Sequence, residues 1–250
     1  MSGAGSVAAG GAGSVAVVGA GDFIGAAIAR RFAAEGHPVF AGRRQGEKLG
    51  PLVAEIAQAG GQCTGRTLDA RSETAIAAFL DEADAVAPLE VCVFNVGANV
   101  RFPALETTER VFRKVWEMAC YAGFLTGREA ARRMLAHGRG SIFFTGATAS
   151  MRGAAGFAAF ASAKAGLRAV AQSLAREFGP RNLHVAHLVI DAGVDTEWVR
   201  EQRRQRGEAA VAPDTLMDPA SIAATYWHLH RQGRDAWTHE LDLRPYGERW

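Results

Sequence analysis

The stretch that most constrains this chain of 250 residues is 14–36, SVAVVGAGDFIGAAIARRFAAEG. Val15-Ala16-Val17-Val18 is a short apolar, β-branched run of the kind that forms a strand buried on both faces. Gly19-Ala20-Gly21-Asp22-Phe23-Ile24-Gly25 is a tight turn. Ile24, Ala27, Ile28 and Phe32 then recur at helical spacing, with Arg30, Arg31 and Glu35 on the opposite face. A strand that runs through a glycine turn into a helix gathers free backbone N–H groups and the positive helix end at one point, which suits a diphosphate. The glycines let the main chain approach that ligand closely, where a Cβ would intervene.

The same alternation continues. Strands are expected at 38–42 (running into Arg43-Arg44), 63–68 (stopping at Asp69), 91–94, 141–145, 183–190 and 237–243. Helical spacing returns at Leu49, Leu52, Val53 and Ile56, at Ile76, Phe79 and Leu80, and over 107–137, 157–179 and 219–231. A small-residue loop is expected at 146–156 and an irregular polar segment at 192–214. This pattern predicts one α/β domain over 14–250, with a doubly wound, mostly parallel sheet and helices on both faces. Right-handed crossovers put the ends of the first six strands on one edge. The loops at 19–25, 95–101, 145–156 and 191–214 therefore converge.

Composition narrows the function. A hydrophobic content of 48% in 250 residues supplies one large core. The net charge of +2 is scattered, which gives no support to nucleic-acid binding. Cys63, Cys92 and Cys120 are odd in number and far apart, and read as reduced core residues of a cytoplasmic protein. The seven histidines make no HxxxH-type spacing, so no metal site is expected. No apolar run reaches the length of a membrane span. Residues 1–13 lack the basic start and apolar centre of a signal peptide and are expected to be a flexible leader.

From 15 to 245 these residues resemble the short-chain dehydrogenase/reductase family. The resemblance is carried by the glycine turn, Asp69 after the third strand and Asn95-Val96-Gly97 after the fourth. Lys164 in ASAKAGL and Thr196 in VDT complete it. It implies a Rossmann-type domain that binds NAD or NADP, acts on a small-molecule substrate and assembles as a homodimer or homotetramer. Gly19, Gly21, Asp22, Phe23, Ile24 and Gly25 would then hold the diphosphate. Asp69 and Ala70 would lie at the adenine, and Asn95, Val96 and Gly97 at the ribose. Thr145, Lys164, Ile190, Val194 and Thr196 would lie at the nicotinamide. At the end of the second strand a carboxylate would repel a 2′-phosphate, whereas Arg43 and Arg44 would pair with one. NADP(H) is therefore expected over NAD(H).

The departures from the family gather where chemistry belongs. Aligned on Lys164, Phe160 stands at the family's proton-donating tyrosine, Ala147 at its serine and Ala119 at its asparagine. Phe23 and Val18 replace a usual glycine and threonine, and Ile190-Asp191 replaces Pro-Gly. Phenylalanine has no proton to give, so ordinary carbonyl reduction is closed. Three readings are open: a reductase with another proton source, a catalytically silent NADP(H) sensor or oligomer subunit, or an interaction module with a vestigial site. GANVRFP and ASAKAGL loosely resemble dienoyl-CoA reductases, which points the first reading to a conjugated enone or dienoyl thioester. Its candidate proton-handling groups are Thr148, the favoured one, Thr145, Tyr121 and Asp191. Arg101 and Arg152 would meet an anionic part of the substrate, and Ala147, Phe157 and Phe160 an apolar part. The run Arg200, Arg203, Arg204, Arg206 lies in the segment near 192–216 that would cover the substrate, and is either a solvated face or a grip on a carboxylate or phosphate. Apolar stripes at Val111, Val115 and Ala119 and at Leu167, Val170 and Leu174 would pair subunits if they exceed what the core uses.

Overall fold

A computed structural model describes residues 12–205 and 214–247. The run that opens the chain forms β1 (Ser14–Val18), followed by α1 (Ile24–Ala34), β2 (Val39–Arg43), α2 (Gly50–Gln58) and β3 (Cys63–Thr67). Next come α3 (Glu73–Val86), β4 (Leu89–Phe94), α4 (Glu109–Trp116), α5 (Ala122–His137) and β5 (Gly140–Thr145). The chain closes with α6 (Thr148–Met151), α7 (Ala158–Phe178), β6 (Leu183–Ile190), α8 (Glu197–Gln205), α9 (Pro219–His230) and β7 (Glu240–Leu243). The strands make one seven-stranded sheet in the order β3-β2-β1-β4-β5-β6-β7, every pair parallel. The order reverses between β1 and β4, which opens a crevice at their carboxyl ends.

Alternation along the strands builds two cores. Val15 and Val17 of β1 pack with Phe32 of α1 and Tyr226 of α9 on one face. Ala16 and Val18 pack with Phe79 of α3, Phe94, Phe144 and Leu167 of α7 on the other. Each large side chain buried there contributes about 1.5–3 kcal/mol. A third, smaller cluster of Val115, Ala119, Ala159, Phe160 and Ala163 lies under the loops at the crevice.

Several boundaries differ from the sequence expectation. The helix expected over 107–137 is α4 and α5 joined by a π turn at Glu117–Tyr121. The loop at 146–156 contains α6, and the last strand is confined to β7. The segment at 192–214 is not irregular throughout, because it holds α8. Thr196 Oγ1 accepts from the Val199 N–H and caps that helix, and Arg204 pairs with Glu197 and Glu201 along it. No residue of α8 is buried, so it carries no apolar stripe by which to be read. The stripes at Val115, Ala119, Leu167 and Leu174 are consumed inside the chain. Apart from residues 12 and 13, the expected leader lies outside the described residues, as do Arg206 and the rest of 206–213.

All three cysteines are free thiols, and burial pushes Cys63 up to about 11 and Cys92 up to about 12. No helix among the described residues is long and apolar enough to cross a membrane.

Candidate active site

The glycine turn is clamped to β4. Asn95 donates its N–H to the Val18 carbonyl at 2.8 Å, and its side-chain amide donates to the Gly19 carbonyl at 3.0 Å. Gly19 has φ of +93°, and a Cβ there would lie 2.8 Å from the Asn95 main chain. Gly21 faces the other way, with nothing within 4 Å of where its Cβ would be. Phe23 caps α1 without a side-chain hydrogen bond, so no side chain occupies the helix end that points at this hollow. A cradle with room where Cβ atoms are missing and an uncapped helix N-terminus fits the diphosphate of a dinucleotide.

Beyond the ends of β2 and β3 a hollow of about 170 Å³ is lined by Gly42, Arg43, Arg44, Asp69, Ala70 and Arg71, among others. Arg43 Nη1 lies 2.5 Å from Asp22 Oδ1, across the mouth of the glycine turn. Asp69 is less free than expected. Arg71 takes both its oxygens, at 3.0 and 2.6 Å, and this guanidinium holds the Asp69 carboxyl below the usual carboxylate range. Sequence reasoning missed Arg71, although its place two residues after Asp69 is the signal of such a clasp.

A second, larger cleft of about 720 Å³ runs from the glycine turn past Lys164 to α8. It brings together Gly19, Gly21, Asp22, Phe23, Ile24, Gly25, Asn95, Val96 and Gly97 with Thr145, Ala147, Thr148 and Arg152. Phe157, Phe160, Lys164, Ile190, Val194 and Thr196 also line it. Trp198 and Val199 of α8 line its mouth; they belong to the segment near 192–216 expected to cover the substrate, though neither was singled out from the sequence. Lys164 is 4% exposed, and its Nζ donates to the Thr145 carbonyl at 2.7 Å and the Val96 carbonyl at 3.2 Å. Burial pushes this ammonium down to about 8. Phe160, one helical turn earlier on α7, is 7% exposed and belongs both to the cleft wall and to the small apolar cluster beneath it.

The hydroxyls and charges are arranged less simply than expected. Thr145 Oγ1 is 2.7 Å from the Tyr226 hydroxyl in the core, so it turns away from the cleft. Thr148 donates its hydroxyl to Asp191, and giving a proton to the cleft requires that O–H to rotate. Asp191, 3% exposed, also meets Arg152 at 3.3 Å and Arg244 at 2.5 Å. Arg101 does not line the cleft; its guanidinium lies over the Phe157 ring, 5.9 Å from the centroid. Tyr121 is stacked on Trp116 on the outer side of the π turn, away from the cleft. Arg200 and Arg204 are spent on Asp195, Glu197 and Glu201, and Arg203 reaches Thr215 at 2.9 Å, as befits a solvated face rather than a ligand grip.

If Lys164 meets the dinucleotide, its lowered pKa should make the affinity depend on pH. A ligand that accepts hydrogen bonds from the ammonium draws its pKa up from about 8. Affinity is then full below pH 8 and falls above it, by up to about tenfold per unit. Calorimetric titration of NADPH at pH 7, 8 and 9 should trace this fall, and Lys164→Met should flatten it.

A doubly wound sheet with a glycine cradle at its switch point and a buried lysine beside it defines a dinucleotide-binding protein of the nicotinamide class. A family profile described as short chain dehydrogenase matches residues 14–207, and the chain belongs to that family. It is 31% identical over 204 residues to 3-oxoacyl-[acyl-carrier-protein] reductase MabA of Mycobacterium tuberculosis, covering 80% of this chain and 78% of that one. A crystal structure of a short-chain dehydrogenase from Rhodopseudomonas palustris is 62% identical and superposes with a TM-score of 0.82, over 94% of this chain and 99% of that one. A metagenomic short-chain oxidoreductase solved in complex with NADP is 26% identical with a TM-score of 0.80, over 95% and 99%.

Proposed function

We propose that this chain is an NADP(H)-dependent oxidoreductase that works without the tyrosine proton donor and reduces a conjugated acceptor, an enone or a dienoyl thioester. The observation that carries this reading is the pairing of an intact cofactor cradle with an acid-poor reaction end. Lys164 is in place, while Phe160 and Ala147 line the same cleft. When bound, the reduced nicotinamide supplies hydride. Lys164 would offer its ammonium to the ribose hydroxyls, and Asn95 keeps the turn that receives the diphosphate in shape. Arg152, whose side chain is 57% exposed at the cleft, would face a carboxylate or thioester oxygen and stabilise charge delocalised onto it. Phe157 and Phe160 would hold the apolar part. Thr148 is the proton-handling group, and its O–H, held by Asp191 in the free protein, would rotate toward the substrate to act. The segment around 192–216, through Trp198 and Val199, would cover the bound substrate.

The test is titration with NADPH and NADH, then a screen of enones, dienoyl thioesters and plain ketones. NADPH should bind more tightly, and only conjugated acceptors should turn over. Failure to take up either coenzyme would sink the proposal. Uptake of NADPH with no turnover would instead favour a silent NADP(H) sensor, a reading supported by the close packing of Phe160 against Val115, Ala119 and Ala163.

NADP(H) preference rests on Arg43 and Arg44. In Arg43→Glu the carboxylate would repel the 2′-phosphate, and NADPH affinity should fall roughly 10–100-fold while NADH affinity changes little. Equal losses for both coenzymes would assign Arg43 to the Asp22 contact alone. A homodimer or homotetramer would cover Phe112, Trp116, Tyr121 and Phe124, which lie 36–41% exposed along α4, the π turn and α5.

A further inference from the structure

At the sheet edge opposite the cleft, side chains from three elements meet. His37 precedes β2, Glu90 is the second residue of β4, and His230 ends α9. One donor atom from each lies within 4.8 Å of the other two. His37 is 5% exposed, and the side chains of His230 and Glu90 are 10% and 20% exposed.

Each donor is held from behind. Nδ1 of His37 is 2.7 Å from the Gly13 carbonyl. A carbonyl only accepts, so this nitrogen carries the proton and Nε2 carries the lone pair. Nδ1 of His230 is 3.2 Å from Ser141 Oγ, and its Nε2 stands 3.9 Å from Glu90 Oε1, too far for a hydrogen bond. Glu90 Oε2 accepts from the Gly13 N–H at 2.9 Å. The nearest guanidinium to Oε1 is that of Arg139, also at 3.9 Å and on an exposed side chain. The rings of Phe32 and Trp227 pack against both histidines and offer the cluster no competing acceptor.

We propose that His37, Glu90 and His230 form a binding site for a divalent transition-metal cation of the Zn²⁺ type. Two imidazoles and a carboxylate are a donor set that Zn²⁺ takes, with a fourth position left to water. A main-chain carbonyl and a hydroxyl behind the imidazoles are the partners that ordinarily fix metal-binding histidines. Tetrahedral coordination at ~2.0–2.1 Å places donors about 3.3 Å apart, so the 3.9 Å between His230 and Glu90 closes with a small side-chain rotation, and the remaining pairs, within 4.8 Å, must shorten by at most about 1.5 Å. These residues are far apart in sequence and fall in no motif, and the expectation of no metal site rested on motif spacing alone. The ion would pin the approach to β1, through Gly13, to β2, β4 and α9. It would act on stability and not on the cleft.

The full chain, stripped with EDTA, freed of chelator and then incubated with Zn²⁺, should retain about one Zn²⁺ per molecule after desalting. At ~100-fold excess over the dissociation constant its unfolding midpoint should rise by roughly 5–10 °C. Co²⁺ in its place should give the visible absorption bands of a four-coordinate ion. Glu90→Gln, which keeps an acceptor for the Gly13 N–H, and His230→Gln should each abolish uptake, while His239→Gln should not. Circular dichroism establishes that each variant is folded. Absence of uptake and of Co²⁺ bands in the parent chain, or equal uptake by the Glu90→Gln and His230→Gln variants, overturns the site.

Discussion

With Ala147→Ser and Phe160→Tyr combined, the chain should reduce plain ketones with NADPH, with kcat/KM raised about 10²–10⁴-fold over the parent. Phe160 and Lys164 are four residues apart on α7 and line one cleft, so a hydroxyl on the ring at 160 enters the space beside the buried ammonium. That positive charge lowers the pKa of a neighbouring phenol and so brings it toward a working proton donor. A serine at 147 adds a second hydrogen bond to the substrate oxygen. Phe160→Tyr alone should yield most of the gain, because it restores the proton and the serine only orients. Steady-state kinetics on a panel of ketones reads the result. A double variant that binds NADPH as the parent does yet stays silent would mean that the cleft holds no substrate within reach of position 160.

The second large effect concerns Gly19→Ala. A non-glycine residue at φ of +93° costs about 1–3 kcal/mol, and the added Cβ would lie 2.8 Å from main-chain atoms of Asn95. Neither neighbour yields easily, since Asn95 is tied by two hydrogen bonds to Val18 and Gly19 themselves. The turn must therefore shift away from the end of β4, and the amides of the cradle move with it. Unfolding should come roughly 5–10 °C earlier, and NADPH affinity should drop by at least ~100-fold, a loss of about 2.7 kcal/mol. Gly21→Ala, where the site is open in the free protein, should leave thermal stability nearly unchanged and still weaken the coenzyme. That contrast between the two glycines, read by calorimetry and thermal melts, separates strain in the fold from steric exclusion of the ligand.

The sheet and the cradle were legible because their signals are local. Val15 to Val18 announce a buried strand, and the glycines and the helical spacing follow within a few residues. The reaction end was legible only in part. Lys164, Phe160 and Ala147 could be placed through the resemblance to the family, but the partners of Asp191 could not. Arg244 comes from beyond β7, and only the pairing of β7 with β6 brings it to Asp191. Thr145 looked available because nothing in its neighbourhood names Tyr226, 81 residues away, as its partner. α8 escaped because a helix held by a threonine cap and arginine–glutamate pairs has no apolar stripe. The convergence of His37, Glu90 and His230 is of the same kind, built by strand order and not by sequence spacing.

The π turn at Glu117–Tyr121 has a bearing on how readily this scaffold can change its chemistry. One extra residue in a turn widens the helix and displaces a main-chain carbonyl, a distortion that regular α-helices avoid and that is frequent at functional sites. Here it survives around Ala119, a fully buried residue that brings no polar group of its own. The shape at this spot is thus set by the main chain, with no polar side chain at its centre. Polar substitutions at 147 and 160, which line the cleft beside it, should be accepted with the backbone left in place.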